Sequence, residues 1–172
     1  QVPPSKTGFN AFGNLIYQQG GFSAGMRYES YLNAVLGFPG RFKGSGIGYR
    51  YARYSDPTEK VDFTIGNFYE QFGSGMILRA YEERALGIDN ALDGIRLIIR
   101  PIEGIEVKAI YGKQRLDFDS RLINGSGIVR AVDGSIDVNG LFSDRGGYDC
   151  KTKIRLGASF VSKFQEGGTI TK

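Results

Sequence analysis

The chain contains no histidine, no tryptophan and a single cysteine, Cys150, among its 172 residues. The absence of histidine excludes triads with an imidazole base, zinc sites with imidazole ligands and the most common general base of enzymes. One cysteine can form neither an internal disulfide nor a cysteine-rich metal site. We therefore expect a protein that is not an enzyme and that uses no cofactor and no metal.

Long apolar runs and clusters of one charge sign are also missing. No stretch reaches the ~18 apolar residues of a transmembrane helix. The 22 basic and 18 acidic residues give a net charge of +4 and are mixed along the chain, so we expect no nucleic-acid partner. The start, Gln1-Val2-Pro3-Pro4, lacks the basic and apolar regions of a signal peptide. We expect either a processed chain or a piece of a longer protein.

Apolar and charged residues alternate with a period of two along most of the chain. In residues 92–112, Leu97 and Ile99 alternate with Arg96 and Arg100, a turn follows, and the return stretch alternates in the same way. Similar stretches lie at 9–18, 22–33, 46–51, 61–66, 126–139 and 154–161. The pattern predicts about eight strands of roughly ten residues, near the length with which a tilted strand crosses a bilayer.

The connections between these stretches alternate in length. Short ones lie at 19–21, 56–59 and 101–104, and longer ones at 33–44, 70–91 and 115–126. Outer-membrane barrels have short turns at one end and long loops at the other, so this rhythm favours an all-β, antiparallel up-and-down transmembrane β-barrel. The connection at 140–151 breaks the rhythm, because a short turn is expected there. The 26 glycines are consistent with a curved barrel wall, because glycine within strands permits bends, bulges and close contacts.

In such a barrel the apolar residues face lipid and the charged residues line the lumen. The predicted lumen side chains on the wall are Arg27, Glu29, Arg50, Asp62, Arg96, Arg100, Glu106, Lys108 and Arg155. Residues 70–91 are too apolar for a free loop and too charged for lipid, which predicts a loop folded inward against the wall. The candidates for a constriction are Arg79, Glu82, Glu83, Arg84, Asp89, Arg96, Arg100 and Lys108.

Two alternatives remain for this segment. Residues 75–82 could belong to an ordinary strand pair of the sheet. The acids Glu82, Glu83, Asp89 and Asp93 could be a solvated cluster paired with Arg79 and Arg84, and not a glycosidase pair or a calcium site.

The run GNFYEQFGSGMILRAYEERALGIDNALDG, with the hairpin R-P-I-E-G-I after it, resembles an uncharacterised, porin-like outer-membrane β-barrel family of Bacteroidota. The pieces RFKGSGIGYRYARY (41–54) and LGASFVSKFQ (156–165) are similar to it as well, so the resemblance spans about residues 8–165. It implies no assigned activity and no catalytic residues. Members of that family are longer, which implies that residues 1–172 are a single domain or a fragment of one, in a larger barrel.

Three functions follow as hypotheses. The first is a porin-like channel, or a wall or scaffold component of an envelope transport complex, in the bacterial outer membrane, with membrane lipid and other envelope proteins as partners. The second is a soluble β-barrel or sandwich that binds a ligand or polysaccharide. The third is an enzyme embedded in a barrel, which the absence of histidine disfavours.

Overall fold

The computed structural model describes residues 9–32, 44–83, 86, 88–115, 127–141 and 152–164. The strands are β1 (Phe9–Gln19), β2 (Phe22–Leu32), β3 (Gly44–Ser55), β4 (Val61–Phe68), β5 (Glu70–Phe72), β6 (Leu78–Ala80), β7 (Glu82–Glu83), β8 (Ile88–Asp89), β9 (Leu92–Ile99), β10 (Ile105–Gln114), β11 (Ile128–Asp137) and β12 (Arg155–Phe164). The helical elements whose bounds lie in these residues are a 3-10 turn, Gly73–Gly75, and α1, Val138–Leu141. None of the described helices is long and apolar enough to span a membrane.

The eight long strands form one antiparallel sheet in the order β1-β2-β3-β4-β9-β10-β11-β12. Consecutive long strands are therefore neighbours, which confirms the all-β, antiparallel, up-and-down prediction. The short turns follow β1, β3 and β9 and lie at one end of the sheet. Residues 33–43 and 116–126 of the predicted loops, and residues 142–151 of the connection at 140–151, lie outside the described residues.

The two faces of the sheet differ sharply in chemistry, because directly opposed residues of antiparallel strands point to the same side. One row across the sheet is Phe63, Leu97, Ala109, Val132 and Phe160. The next row, on the opposite side, is Thr64, Arg96, Ile110, Ala131 and Val161. We call the side of Leu97 the apolar face and the side of Arg96 the charged face.

A β-bulge corrects the predicted position of Arg50. Arg27 pairs with Tyr49 but Tyr28 pairs with Ile47, so the register shifts and Gly48 is the extra residue. A bulge reverses the alternation beyond it. Tyr49 therefore lies on the charged face, and Arg50 lies opposite Met26 on the apolar face. The prediction that Arg50 lines the charged side was wrong.

The sheet is not closed. β1 and β12 are its two outer strands, and they do not pair with each other in the described part of the chain. The outer edge of each strand therefore presents backbone N–H and C=O groups to a further strand.

Close packing of β9 against β10 leads to a stability prediction. A β-carbon at Gly94 would overlap the carbonyl oxygen of Tyr111 and the Cα of Gly112, whereas one at Gly134 has no atom within 4 Å. We expect Gly94→Ala to destabilise the fold by about 1–3 kcal/mol through overpacking. Gly134→Ala, the matched control, should stay within about 0.5 kcal/mol of the wild type. Urea unfolding of both variants measures the difference, and equal midpoints would contradict the close approach.

Candidate functional site

Residues 70–91 lie against the charged face of the sheet. β5 and β6 form a hairpin around the 3-10 turn, and β7 pairs with β8, but neither pair joins the eight-stranded sheet. The hairpin excludes the alternative in which 75–82 adds an ordinary strand pair to the wall. The segment instead follows β4, returns over the face of the sheet and leads into β9.

A small apolar cluster anchors the segment. Phe72 of β5 is 1% exposed and packs with Phe68 and Leu92, the residues that flank the segment in the sheet. The other members are Ala80, Ile110, Val129 and Ala131, with Leu78 and Val161 packed against them. The cluster joins the segment to four strands of the charged face, so its apolar residues are withdrawn from water there.

A chain of ion pairs, the central network, runs along the charged face under the segment. Its members are Arg53, Asp62, Glu70, Arg96, Arg100, Glu106 and Lys108. Glu70 joins the segment to the wall, because its carboxylate lies 3.5 Å from Arg96 and 3.2 Å from Lys108. Arg96 also reaches Asp62 at 3.1 Å. Four cations alternate with three carboxylates, which leaves a small excess of positive charge.

A second group, the loop-end network, consists of Arg27, Glu29, Glu82, Asp89 and Arg115 and lies toward the end of the sheet with the longer connections. Arg115 is 2.7 Å from Asp89 of the segment and 3.1 Å from Glu29 of β2. Arg27 is 2.7 Å from Glu82. Both side chains of the Arg115–Glu29 pair are 3% exposed. Buried charges are stable only when they are paired, so this network fixes the segment to β2 and to the end of β10.

Tyr69, immediately before β5, marks where the chain turns onto the charged face. Its ring stacks on Tyr49 with centroids 5.4 Å apart, and the guanidinium of Arg27 lies 5.3 Å from the Tyr49 ring. The Tyr69 hydroxyl donates a hydrogen bond to Asp89 at 3.1 Å. Burial, followed by the nearby charge of Asp89, raises the pKa of the Tyr69 phenol, so it remains a donor at neutral pH.

The predicted constriction residues have different positions in the structure. Glu82 and Asp89 lie in the loop-end network, and Arg96, Arg100 and Lys108 lie in the central network. Arg84 lies outside the described residues, and Glu83 is an exposed residue of β7.

The prediction of an inward loop also makes Arg96 and Arg100 of the wall the partners of acids in the segment. Arg96 lies 3.5 Å from Glu70, whereas Arg100 binds Glu106 on the neighbouring strand at 2.7 Å, because it lies at the turn end of the sheet. Arg79 stacks on the ring of Tyr81 at 4.3 Å, and Glu82 and Asp89 pair with Arg27 and Arg115. The prediction missed Glu70 and Arg115. Their signal was weak, since each is a single charge at the edge of a predicted loop.

The apolar face presents large side chains to solvent across the whole sheet. Leu15 of β1 is 66% exposed and Phe160 of β12 is 68% exposed. Between them, exposed residues include Met26, Tyr54, Ile65, Ile95, Val107, Tyr111, Val132 and Ile136. Exposed apolar patches of this extent mark a surface that another apolar phase or partner covers.

The charged face carries paired acidic and basic side chains and a groove. No group of three or more acidic, cysteine or histidine residues in the described part of the chain is placed to hold a metal ion. A polar groove of about 520 Å³ opens at the short-turn end, with Arg100, Arg155, Glu103 and Glu106 among its lining residues. Side chains of both charge signs therefore line the groove.

Comparisons with known proteins place the chain in a family. No curated protein and no solved structure matches it. A family model matches residues 1–172, which is the whole sequence. The chain therefore belongs to the family of unknown function DUF6029.

Proposed function

We propose that this chain forms part of the wall of a porin-like β-barrel in a bacterial outer membrane, with segment 70–91 narrowing the lumen. The observation that supports the proposal is that the exposed and covered faces of the sheet are the reverse of those in a water-soluble protein. The apolar face is open across eight strands, while the central part of the charged face is covered by segment 70–91. A water-soluble fold buries its apolar face, whereas a membrane barrel turns it to lipid.

Strand length supports the same function. Six of the eight long strands, β1, β2, β3, β10, β11 and β12, contain 10–12 residues. A tilted membrane strand needs about 9–11 residues, while strands of globular proteins usually have ~5–6.

The volume of the segment supports a barrel larger than these eight strands. An eight-stranded barrel has an interior just wide enough for its own side chains. Segment 70–91 adds two short strand pairs and a buried phenylalanine, Phe72, on the side that becomes the interior. We infer that further strands complete the wall, supplied by chain outside the described sheet or by envelope partners.

Membrane integration tests this function directly. We expect the chain to require detergent for extraction from the outer-membrane fraction and to fold into phosphatidylcholine vesicles. Leu97→Arg, on the apolar face, should weaken that folding by about 2–4 kcal/mol if the residue lies at the bilayer midplane. Titration of vesicle folding with urea measures this cost.

The matched control is Leu156→Arg, because Leu156 lies on the same face near the turn end of β12. It should cost only about 0–1 kcal/mol at the interface. A folded monomer in aqueous buffer without detergent would contradict the proposal. That result would favour the soluble ligand- or polysaccharide-binding protein instead.

A further inference from the structure

The exposed large apolar side chains of the eight long strands lie on the apolar face, with two exceptions in β1 among the described residues. The exceptions are Phe12 and Ile16, and Ile16 is 65% exposed. Both belong to the charged face, because they alternate along β1 with Asn14, which lies opposite Arg27. The outer strand β1 is therefore apolar on both of its faces, although lipid covers only one face of a barrel wall.

The hairpin of β5 and β6 presents a second exposed apolar group on the charged side of the sheet. Its tip carries Met76, which is 92% exposed, and Ile77, which is also exposed, whereas Phe72 at its base is buried. The 3-10 turn of the tip lies close to β12, and Val161 of β12 packs against the apolar cluster of the segment. The exposed tip is therefore near the open edge of β12.

The two open edges match each other in one register. β12 has 10 residues and β1 has 11, and the strands run in opposite directions because eight strands follow each other in up-and-down order. All of β12 is paired, and apolar face meets apolar face, when Phe9 lies opposite Phe164 and Gln18 lies opposite Arg155. A shift by one residue would turn each side chain of β1 to the wrong face.

The same register brings the exposed apolar groups of the two edges together. It places Phe12 opposite Val161, beside the hairpin tip, so that Phe12 and the tip withdraw each other from water. Ile16 then lies opposite Gly157, which has no side chain to clash with it. The face match and the apolar match therefore follow from one alignment of the strands.

These two edges cannot belong to the same copy of the chain. Pairing within one chain would close an eight-stranded barrel, whose interior is just wide enough for its own side chains. Segment 70–91 lies on the inner side with a hairpin of its own, which exceeds that space. Two copies of eight strands give a barrel of 16 strands, and barrels of about 16–18 strands leave an aqueous channel.

We propose that β12 of one copy of this chain pairs with β1 of a second copy, and that Phe12 of each copy covers Met76 and Ile77 of the other. A head-to-tail contact that closes after two copies forms a ring without open edges. One strand thus supplies both the hydrogen-bond partners for the edge of β12 and the apolar cover for the hairpin tip. The pairing rests on the proposed membrane barrel and identifies the partner that completes its wall.

Disulfide trapping in lipid vesicles, in a Cys150→Ser background, tests the register. Directly opposed residues of antiparallel strands have Cα atoms about 4.5–5.5 Å apart, which suits a disulfide. The register places Asn14 opposite Ser159. We expect a chain with Asn14→Cys and a chain with Ser159→Cys, distinguished by tags of different mass, to form a disulfide-linked dimer when they fold together.

The matched control replaces Ser159→Cys by Ser162→Cys. Ser162 lies opposite Arg130 on the apolar face, so it should not link to Asn14→Cys, which lies on the charged face. The double variant with Asn14→Cys and Ser159→Cys in one chain should also give a linked dimer and not an internally bridged monomer.

Met76→Ser tests the apolar contact independently of any disulfide. We expect it to weaken association of the two copies in detergent by about tenfold or more, because the side chain is exposed in one copy alone and buried in the pair. Sedimentation equilibrium measures the association. Ile102→Ser, an exposed apolar residue in the turn after β9, should leave it unchanged.

The outcomes separate this pairing from the proposed function. An internal bridge in the double variant would show that one chain closes on itself. A channel formed by a monomer without any bridge would show that other strands close the wall. Either result would overturn the pairing between copies and leave the channel intact, whereas a chain that enters no vesicle and conducts no current would overturn the proposed function as well.

Discussion

Glu29→Ala is expected to destabilise the folded chain by about 3 kcal/mol, at the low end of the 3–5 kcal/mol typical of a broken buried ion pair. The substitution leaves the guanidinium of Arg115 buried without its partner at 3.1 Å. We expect the loss of stability to be at the low end of that range because Asp89, 2.7 Å from Arg115, still neutralises part of the guanidinium charge. Unfolding by urea in detergent micelles measures the effect.

A double substitution distinguishes the effect of leaving one buried charge unpaired from the effect of removing the whole ion pair. Glu29→Leu with Arg115→Met removes both charges, so it should destabilise less than either single change. Arg155→Gln provides the exposed control, because Arg155 is 74% exposed and 3.9 Å from Asp137. Such a surface pair contributes about 0–1 kcal/mol. A single variant at Glu29 that unfolds like Arg155→Gln would show that the loop-end network does not hold the segment.

The alternation of residue types was sufficient to predict the faces of several strands. Along β9 and β10, Leu97 and Ala109 lie on one face and Arg96 and Lys108 on the other, as the period of two requires. The prediction failed in β3, where the stretch Gly46-Ile47-Gly48-Tyr49 gives no chemical contrast to show the register. A bulge is a relation between two strands, so one strand's sequence cannot reveal it.

The position of segment 70–91 on the charged face was predictable from the sequence, but its ion-pair partners were not. The mixture of large apolar and charged residues in 70–91 indicated a segment suited neither to water nor to lipid, and the structure lays it on the charged face. Its ion pairs depend on residues far apart in the chain. Arg115, which binds Asp89 of the segment, also binds Glu29, which is 86 positions away in the chain.

Replacing β7 through β8, residues 82–89, with two glycines should raise single-channel conductance in planar bilayers roughly twofold or more by widening the lumen. The design keeps the anchor, because Phe72 and Ala80 of the apolar cluster lie outside the replaced part. It also fits the backbone, since the Asn90 N–H already donates to the Tyr81 carbonyl at 3.2 Å, and the Tyr81 N–H donates to the side-chain Oδ1 of Asn90 at 2.5 Å. Two residues therefore suffice to connect them in a turn.

The same replacement removes Glu82 and Asp89, the carboxylates that face Arg27 and Arg115. Positive charge then prevails at the constriction, so the reversal potential should shift toward anion selectivity. Glu82→Gln isolates the electrostatic part, because it should shift selectivity in the same direction with little change in conductance. Asp56→Asn, in the short turn after β3 and outside the residues that line the groove, should change neither. Unchanged conductance after the replacement would show that the segment does not narrow the path of ions, since an obstruction inside a pore cannot be removed without an effect on current.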